Sequence, residues 1–348
     1  MKRFIVILFI LIPALITVCV FAIPDREVSE LENRSLMTAD NISSNIKDGE
    51  FQENIESFLS DQFPFRDELA FAQAGLKFLI GQRDIGKAYI CKDGRLIQKI
   101  TDDDIDKKAI TSYAKKINRI AENNKVYVMY VPSAEIQLKN ELPSGAPVYD
   151  FSSLYNELTA NLKNADCIDL RNSLNSVNCY YKTDHHWNEE GAYRAYETFC
   201  VAKNESAKPF KSFNFSVVSE DFRGTLFSKA PIVKTMDEII LPGVEGLTVT
   251  ADGKEIDFYD MSALETKDKY NVFQGGNHGI VEIENNKAKS NKTLLILKDS
   301  FANSFVPYIA GDYKKIIMLD ERYTFISLDD YVKTTKPDEI LVLKEIIN

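Results

Sequence analysis

The chain opens on an unbroken apolar run, Phe4 to Ile23, with Lys2 and Arg3 ahead of it. A helix rises about 1.5 Å per residue, so this run is long enough to cover a hydrocarbon layer of roughly 30 Å. Positive charge before it places the N-terminus on the inner side. Either a retained signal-anchor or a signal peptide cut near Val20 and Ala22 fits the pattern, and in both cases residues 24–348 emerge outside the cytoplasm. Cys19 follows Val18 rather than a small Gly, Ala or Ser, which sets a lipid-attached reading aside.

After a polar, helix-poor stretch over 24–45, Phe51, Ile55, Phe58 and Leu59 fall on one helical face. Pro64, in DQFPFRD (residues 61–67), breaks that pattern, and Leu69, Phe71, Leu76, Phe78 and Leu79 predict a second helix. Ile105, Ile110, Tyr113, Ile117 and Ile120 predict a third over about 102–123. The period then changes. VYVMYV (126–131) is a short continuous apolar run between Asn124 and Pro132, as a strand buried on both faces reads. A helix over 151–164, a buried run CIDL (167–170) and a helix over 188–200 follow. The alternation returns in TLLIL (293–297), a helix after Ser300, IIML (316–319), a helix over 328–333 and EILVL (339–343).

Strands alternating with helices predict an α/β fold with a parallel sheet flanked by helices. Between about 205 and 290 the alternation gives way to short β-like pieces such as LTVTADGKEIDFYD (247–260), a mostly β insertion. The expected organisation is a signal-anchor or signal peptide over 1–23, a stalk with N-terminal helices over 24–80 and an α/β domain over 81–348 that carries the candidate chemistry below.

Composition narrows the function. With 52 acidic against 42 basic side chains and a net charge of −10, no basic face is available to displace counterions from nucleic acid. Cys91, Cys167, Cys179 and Cys200 permit two disulfides in an oxidising compartment, but the spacing has no CxxC and a domain of this size folds without staples. Buried free thiols are expected.

The chemistry concentrates in YYKTDHHWNEEGA (180–192), which holds two of the three histidines and the only tryptophan, just before a helix that Asn188 can cap. One reading is a triad in which a carboxylate orients an imidazole and the imidazole takes the proton of a serine hydroxyl. Asp184 and His186 are two residues apart. In an extended segment that spacing puts both on one side and turns His185 away. The serine is expected at Ser300 in ILKDSFANSF (296–305), where a strand passes into a helix at the carboxyl edge of the sheet and helix N–H groups can hold an oxyanion. Ser304, one helical turn on, is the local alternative. Asp299 serves equally as a triad acid or a helix cap. Asp184, His185, His186 and His278 also form a candidate zinc set, but adjacent histidines diverge from a strand, so no metal or cofactor is expected. Arg322, after IIML at the same sheet edge, is a candidate for substrate hydroxyls or a carboxylate, and Tyr181 and Trp187 for stacking on sugar rings, with packing beneath the histidines as the other role of Trp187.

TDHHW, together with EVSELENRSL (27–36), DQFPFRD, FRGTLFSK (222–229), GGNHG (275–279) and KDSF, resembles the DHHW family and, more distantly, the SGNH-hydrolase-like proteins that O-acetylate alginate at the bacterial surface. The resemblance implies an SGNH-like fold and the order Asp-x-His followed much later by Ser, which Asp184, His186 and Ser300 match. It implies Asn277, with Gly276 beside it, as an oxyanion candidate, though a Gly-Gly-Asn turn closing a hairpin reads the same. It further implies an extracytoplasmic O-acetyltransferase-like enzyme on a cell-envelope or exopolysaccharide, held to the membrane by its N-terminal helix and supplied with acyl groups by a membrane-bound O-acyltransferase. An acetylesterase of the same fold and a non-catalytic polysaccharide-binding scaffold stand as alternatives.

Overall fold

The computed structural model describes residues 2–29, 34–43 and 49–346, so residues 30–33 of the EVSELENRSL string lie outside the described residues. The chain forms two units, Met1–Gln82 with Ser228–Ile232, and Arg83–Phe227 with Val233–Asn348.

In the first unit the apolar run forms a helix, α1 (Lys2–Ala22), six of whose side chains lie outside the described set. Among the described residues no helix is long and apolar enough to cross a membrane. α2 (Glu50–Asp61) starts after Gly49, whose φ of 80° suits glycine, and carries Glu50 and Glu53 in its first turn, where the helix dipole favours negative charge. Pro64 stops it as expected, and α3 (Arg66–Leu79) follows.

The second unit begins with a small antiparallel sheet, β1 (Asp84–Ile85), β2 (Ala88–Ile90) and β3 (Leu96–Gln98), whose strands are too short for their periodicity to register in the sequence. α4 (Lys107–Ala121) starts where the Asp106 carboxylate accepts the Lys108 and Ala109 N–H groups, so Asp102–Asp104 form a separate 3-10 turn. Then come β4 (Val126–Val131), buried throughout, α5 (Phe151–Asn161), β5 (Ala165–Cys167), α6 (Glu189–Ala202), the hairpin β6 (Phe215–Phe222) and β7 (Asp237–Pro242), β8 (Leu247–Ala251), β9 (Lys254–Ile256), β10 (Ile280–Asn285), β11 (Thr293–Lys298), α7 (Phe301–Ile309), β12 (Lys315–Leu319), α8 (Leu328–Thr335) and β13 (Glu339–Glu345).

The main sheet has the order β9-β8-β10-β12-β11-β13-β4-β5. β12, β11, β13, β4 and β5 are parallel, as the alternation predicts. β10 pairs antiparallel with β12, β8 with β10 and β9 with β8, so the sheet is mixed and the insertion is built into it rather than set apart. The reason lies in β10, which buries Val281 and Ile283 on one face between more exposed neighbours, the two-residue period of a strand with one side in the core. CIDL is displaced: the strand at the sheet edge ends at Cys167, while Ile168 and Leu170 are buried beyond it. Leu294, Ile296, Leu341 and Leu343 pack in one apolar layer and Leu295, Leu297, Ile340 and Val342 in another, each side chain stabilising by about 1.5–3 kcal/mol when fully buried. All five cysteines are free. Cys91, Cys179 and Cys200 are buried, and Cys167, on the edge strand, is exposed, contrary to expectation.

Candidate active site

β11 runs up the centre of the sheet between β12 and β13, and the chain turns at Asp299. The Asp299 Oδ1 accepts the Phe301 N–H at 3.0 Å and Oδ2 accepts the Glu345 N–H, at the end of β13, at 2.7 Å. Asp299 therefore caps α7 and ties it to the neighbouring strand. Ser300 sits at the N-cap position without capping, and its Oγ lies 2.7 Å from His186 Nε2.

The histidine segment is a series of bends closed by a bridge between Tyr180 and Trp187. Buried Arg95 holds it from below, donating to the carbonyls of Val177, Tyr180 and Tyr181 at 3.0–3.1 Å. Asp237 accepts from the Lys182 and Thr183 N–H groups and the Thr183 hydroxyl. Asp184, 2% exposed, uses both oxygens: Oδ1 lies 2.6 Å from His186 Nδ1 and accepts the His186 N–H, and Oδ2 accepts the Thr225 N–H at 2.7 Å and its hydroxyl at 3.0 Å. Burial alone would raise this carboxyl. The adjacent His185 and His186 and the hydrogen bonds from His186 outweigh it and hold the group well below the usual carboxylate range. The His186 ring stacks on Tyr270 at 4.0 Å and packs against Phe301.

Because the segment bends instead of running extended, His185 does not point away. The two imidazole centroids are 3.9 Å apart, and His185 Nδ1 lies 2.8 Å from the Thr225 hydroxyl. Donor atoms of Asp184, His185 and His186 thus lie within 4.8 Å of one another. The four-ligand zinc set is not assembled, however: His278 Nε2 is hydrogen-bonded to the Gln274 carbonyl, and both His186 nitrogens and both Asp184 oxygens already have partners.

Ser304 is buried behind the site, its Oγ accepting from Trp187 Nε1 at 2.9 Å and lying 3.0 Å from the Tyr270 hydroxyl. Trp187 is fully buried and Tyr181 is 3% exposed against Phe222 and Tyr270, so neither offers a face to a sugar; both pack beneath the histidines. GGNHG docks on the strand-to-helix turn. The Asn277 Oδ1 accepts from Lys298 Nζ at 3.1 Å and Asn303 Nδ2 at 3.3 Å, which fixes the amide with its donor end free of those groups. Gly276 needs its missing side chain, since φ is +101° and a Cβ would meet the Asn271 Oδ1 at 2.7 Å. Lys298 is buried with Asp320 at 3.5 Å, and loss of hydration lowers its ammonium to about 8. Arg322 clamps Asp320 through two hydrogen bonds, 2.9 and 2.7 Å, so its charge is already neutralised.

Sequence reasoning missed Arg95, Thr225, Tyr270 and Lys298. Thr225 lies in FRGTLFSK, which stood out as a string without a role; Arg95 and Tyr270 carry no local signal.

A sequence profile of the DHHW proteins matches residues 118–319. No curated protein matches the sequence. Among solved structures, a DHHW family protein from Eubacterium siraeum is similar at 23% identity and TM-score 0.63, covering 75% of this chain and 91% of that one. PatB1 of Bacillus cereus, in a structure with a sulfonyl adduct, is similar at 20% identity and TM-score 0.61, covering 74% and 93%. The O-acetyltransferase domain of AlgJ from Pseudomonas putida, at 12% identity and TM-score 0.47 over 75% and 91%, is too distant to argue from. The first two likenesses establish the fold.

Proposed function

We propose, since the chain belongs to the DHHW family, that it is an extracytoplasmic serine enzyme transferring an acetyl group to a hydroxyl of a cell-envelope or exopolysaccharide. The observation that carries this reading is the continuous hydrogen-bonded series from Ser300 Oγ through His186 to Asp184 at a strand-to-helix turn.

In the proposed reaction the Ser300 Oγ attacks the acyl carbonyl while His186 Nε2 takes its proton, and the departing group regains that proton as the acyl-serine forms. Asp184 stays ionised, holds the Nδ1–H tautomer and stabilises the imidazolium. The free amide end of Asn277 is the proposed donor to the oxyanion. A sugar hydroxyl then attacks the acyl-serine carbonyl, its proton passing to His186 and on to the Ser300 Oγ as the acyl-serine bond breaks. Attack by water instead gives an acetylesterase, the second reading. The N-terminal apolar helix is proposed to hold the domain at the membrane, where an integral-membrane O-acyltransferase supplies acyl groups.

A sulfonyl fluoride reports on Ser300 directly, and the fold relative PatB1 is described with a sulfonyl adduct. Wild type gains one adduct by intact mass, Ser300→Ala gains none and Ser304→Ala keeps it. Oligosaccharide acceptors with an activated acetyl ester then separate transfer from hydrolysis. A folded wild type with neither adduct nor ester turnover assigns the protein to polysaccharide binding without catalysis.

A further inference from the structure

The first unit carries an apolar surface that its own packing leaves uncovered. α3 turns Ala74 inward, whereas Phe65, Leu69, Leu76, Leu79 and Ile80, spaced along the opposite side, are 51% to 82% exposed. Steps of three, four and seven residues align them in one stripe, about 22 Å long at 1.5 Å per residue. A stripe of this size on one helix marks an interaction surface rather than scattered exposure.

The neighbouring helix α1 bears on what covers it. α1 exposes Phe9, Ile10, Leu15 and Val18. The C-terminal end of α1 is seated in the same unit, with Val20 buried and Phe21 6.0 Å from Phe58 of α2. Val20, Ile23 and Pro24 share a cavity of about 170 Å³ with Phe63, Pro64 and Phe65, so α3 starts beside the point where α1 ends. Both helices thus expose apolar side chains on leaving that point, which a single apolar medium covers together, whereas a second copy of the chain seated on α3 alone would leave α1 bare.

We propose that α3 lies along the lipid–water interface of a bilayer, its Phe65-to-Ile80 stripe in the boundary between headgroups and acyl chains, at the exit of α1. An amphipathic helix of this kind beds its apolar face about 5–10 Å into that boundary. The inference rests on the membrane attachment proposed above for α1. It places the α2–α3 pair as a lipid-bound platform instead of a free stalk.

Tryptophan reporters test it, because the one native tryptophan, Trp187, is fully buried. The full chain is reconstituted in phosphatidylcholine vesicles as Phe9→Trp, Leu76→Trp and Ile80→Trp, and quenching by brominated lipid is compared with quenching by aqueous iodide. The expected result is that all three reporters lose intensity in brominated lipid, with positions 76 and 80 partly reached by iodide. Quenching of Phe9→Trp but not of Leu76→Trp or Ile80→Trp overturns the interfacial placement and leaves the anchor standing. Shielding of positions 76 and 80 from both quenchers overturns it in favour of a protein partner or a second copy. No lipid quenching at any position overturns the anchor and the platform together.

Discussion

Gly224→Ala tests whether the carboxylate of Asp184 is held as tightly as its contacts imply. Gly224 is buried and donates its N–H to the Thr183 hydroxyl at 3.1 Å. A Cβ added there would lie 2.6 Å from the Asp184 Cγ, and closer still to its Cβ and Oδ2. Carbon atoms rest at about 3.5 Å, so the carboxylate or the FRGT backbone must retreat by more than about 0.9 Å. The 2.6 Å Asp184–His186 bond does not survive such a displacement, and the Thr225 bonds to Oδ2 are strained with it. Overpacking of this kind costs about 1–3 kcal/mol of stability, and a misplacement of about 1 Å lowers turnover on the order of 10²-fold. Urea unfolding and ester turnover are measured together on Gly224→Ala and on Gly243→Ala as a control, where a Cβ meets its nearest atom at 3.0 Å. The expected result is a modest drop in stability with a much larger loss of turnover and of sulfonyl labelling at Ser300. Wild-type labelling in a folded Gly224→Ala would refute the argument that Asp184 positions the imidazole.

Other substitutions probe neighbouring parts of the site. Asn277→Ala should lower ester turnover on the order of 10²–10³-fold while sparing the fold, as removal of an oxyanion donor does; unchanged turnover removes Asn277 from the oxyanion role. Ser304→Ala leaves Trp187 Nε1 without its acceptor and should cost about 1–3 kcal/mol in urea unfolding while Ser300 still labels; loss of labelling in a stable Ser304→Ala would show that the two hydroxyls are not independent. Glu135 is fully buried with one oxygen lacking a partner, and burial raises its carboxyl from 4.5 to about 8. Below pH 4.5 it is protonated folded and unfolded; above that the unfolded chain releases the proton first, so stability falls as pH rises towards 8, by about 3 kcal/mol at pH 7. Glu135→Gln should flatten this slope in urea unfolding between pH 5 and 8, and an unchanged slope would mean that Glu135 is not its source.

The elements whose residues are all buried or all on one helical face were legible because their periods are set by the local backbone. Val126–Val131 and Lys315–Leu319 read as strands with nearly their observed limits, and Asn188 as the cap of α6, its carboxamide accepting the Gly191 N–H at 3.2 Å. Ser300 was legible as the hydroxyl at a strand-to-helix turn, a position that the strand pattern before it and the helix pattern after it define together. The two-residue spacing of Asp184 and His186 likewise carried their pairing, since both ends of the hydrogen bond lie in one short segment.

Contacts between distant segments left no such trace. The orientation of His185 follows from bends that Asp237 and Arg95 impose from 52 and 90 residues away, so the extended spacing rule failed there. The joining of β8–β10 to the sheet depends on the edge of β12 being open to an antiparallel neighbour; the two-residue period of residues 280–285 marks β10 as a half-buried strand but does not name its partner. The fate of Trp187 and Tyr181 was settled by Ser304 and Phe222, which only the fold brings near, whereas Arg322 is held by Asp320 just two residues before it. The sequence by itself determined the alternation of elements, the strand-to-helix turn at KDSF and the apolar N-terminal run, because local sterics and side-chain period encode them. The tertiary structure decided that Trp187 is spent on packing and which hydroxyl meets the imidazole, because those contacts, to Ser304 and Ser300, join residues 117 and 114 positions apart.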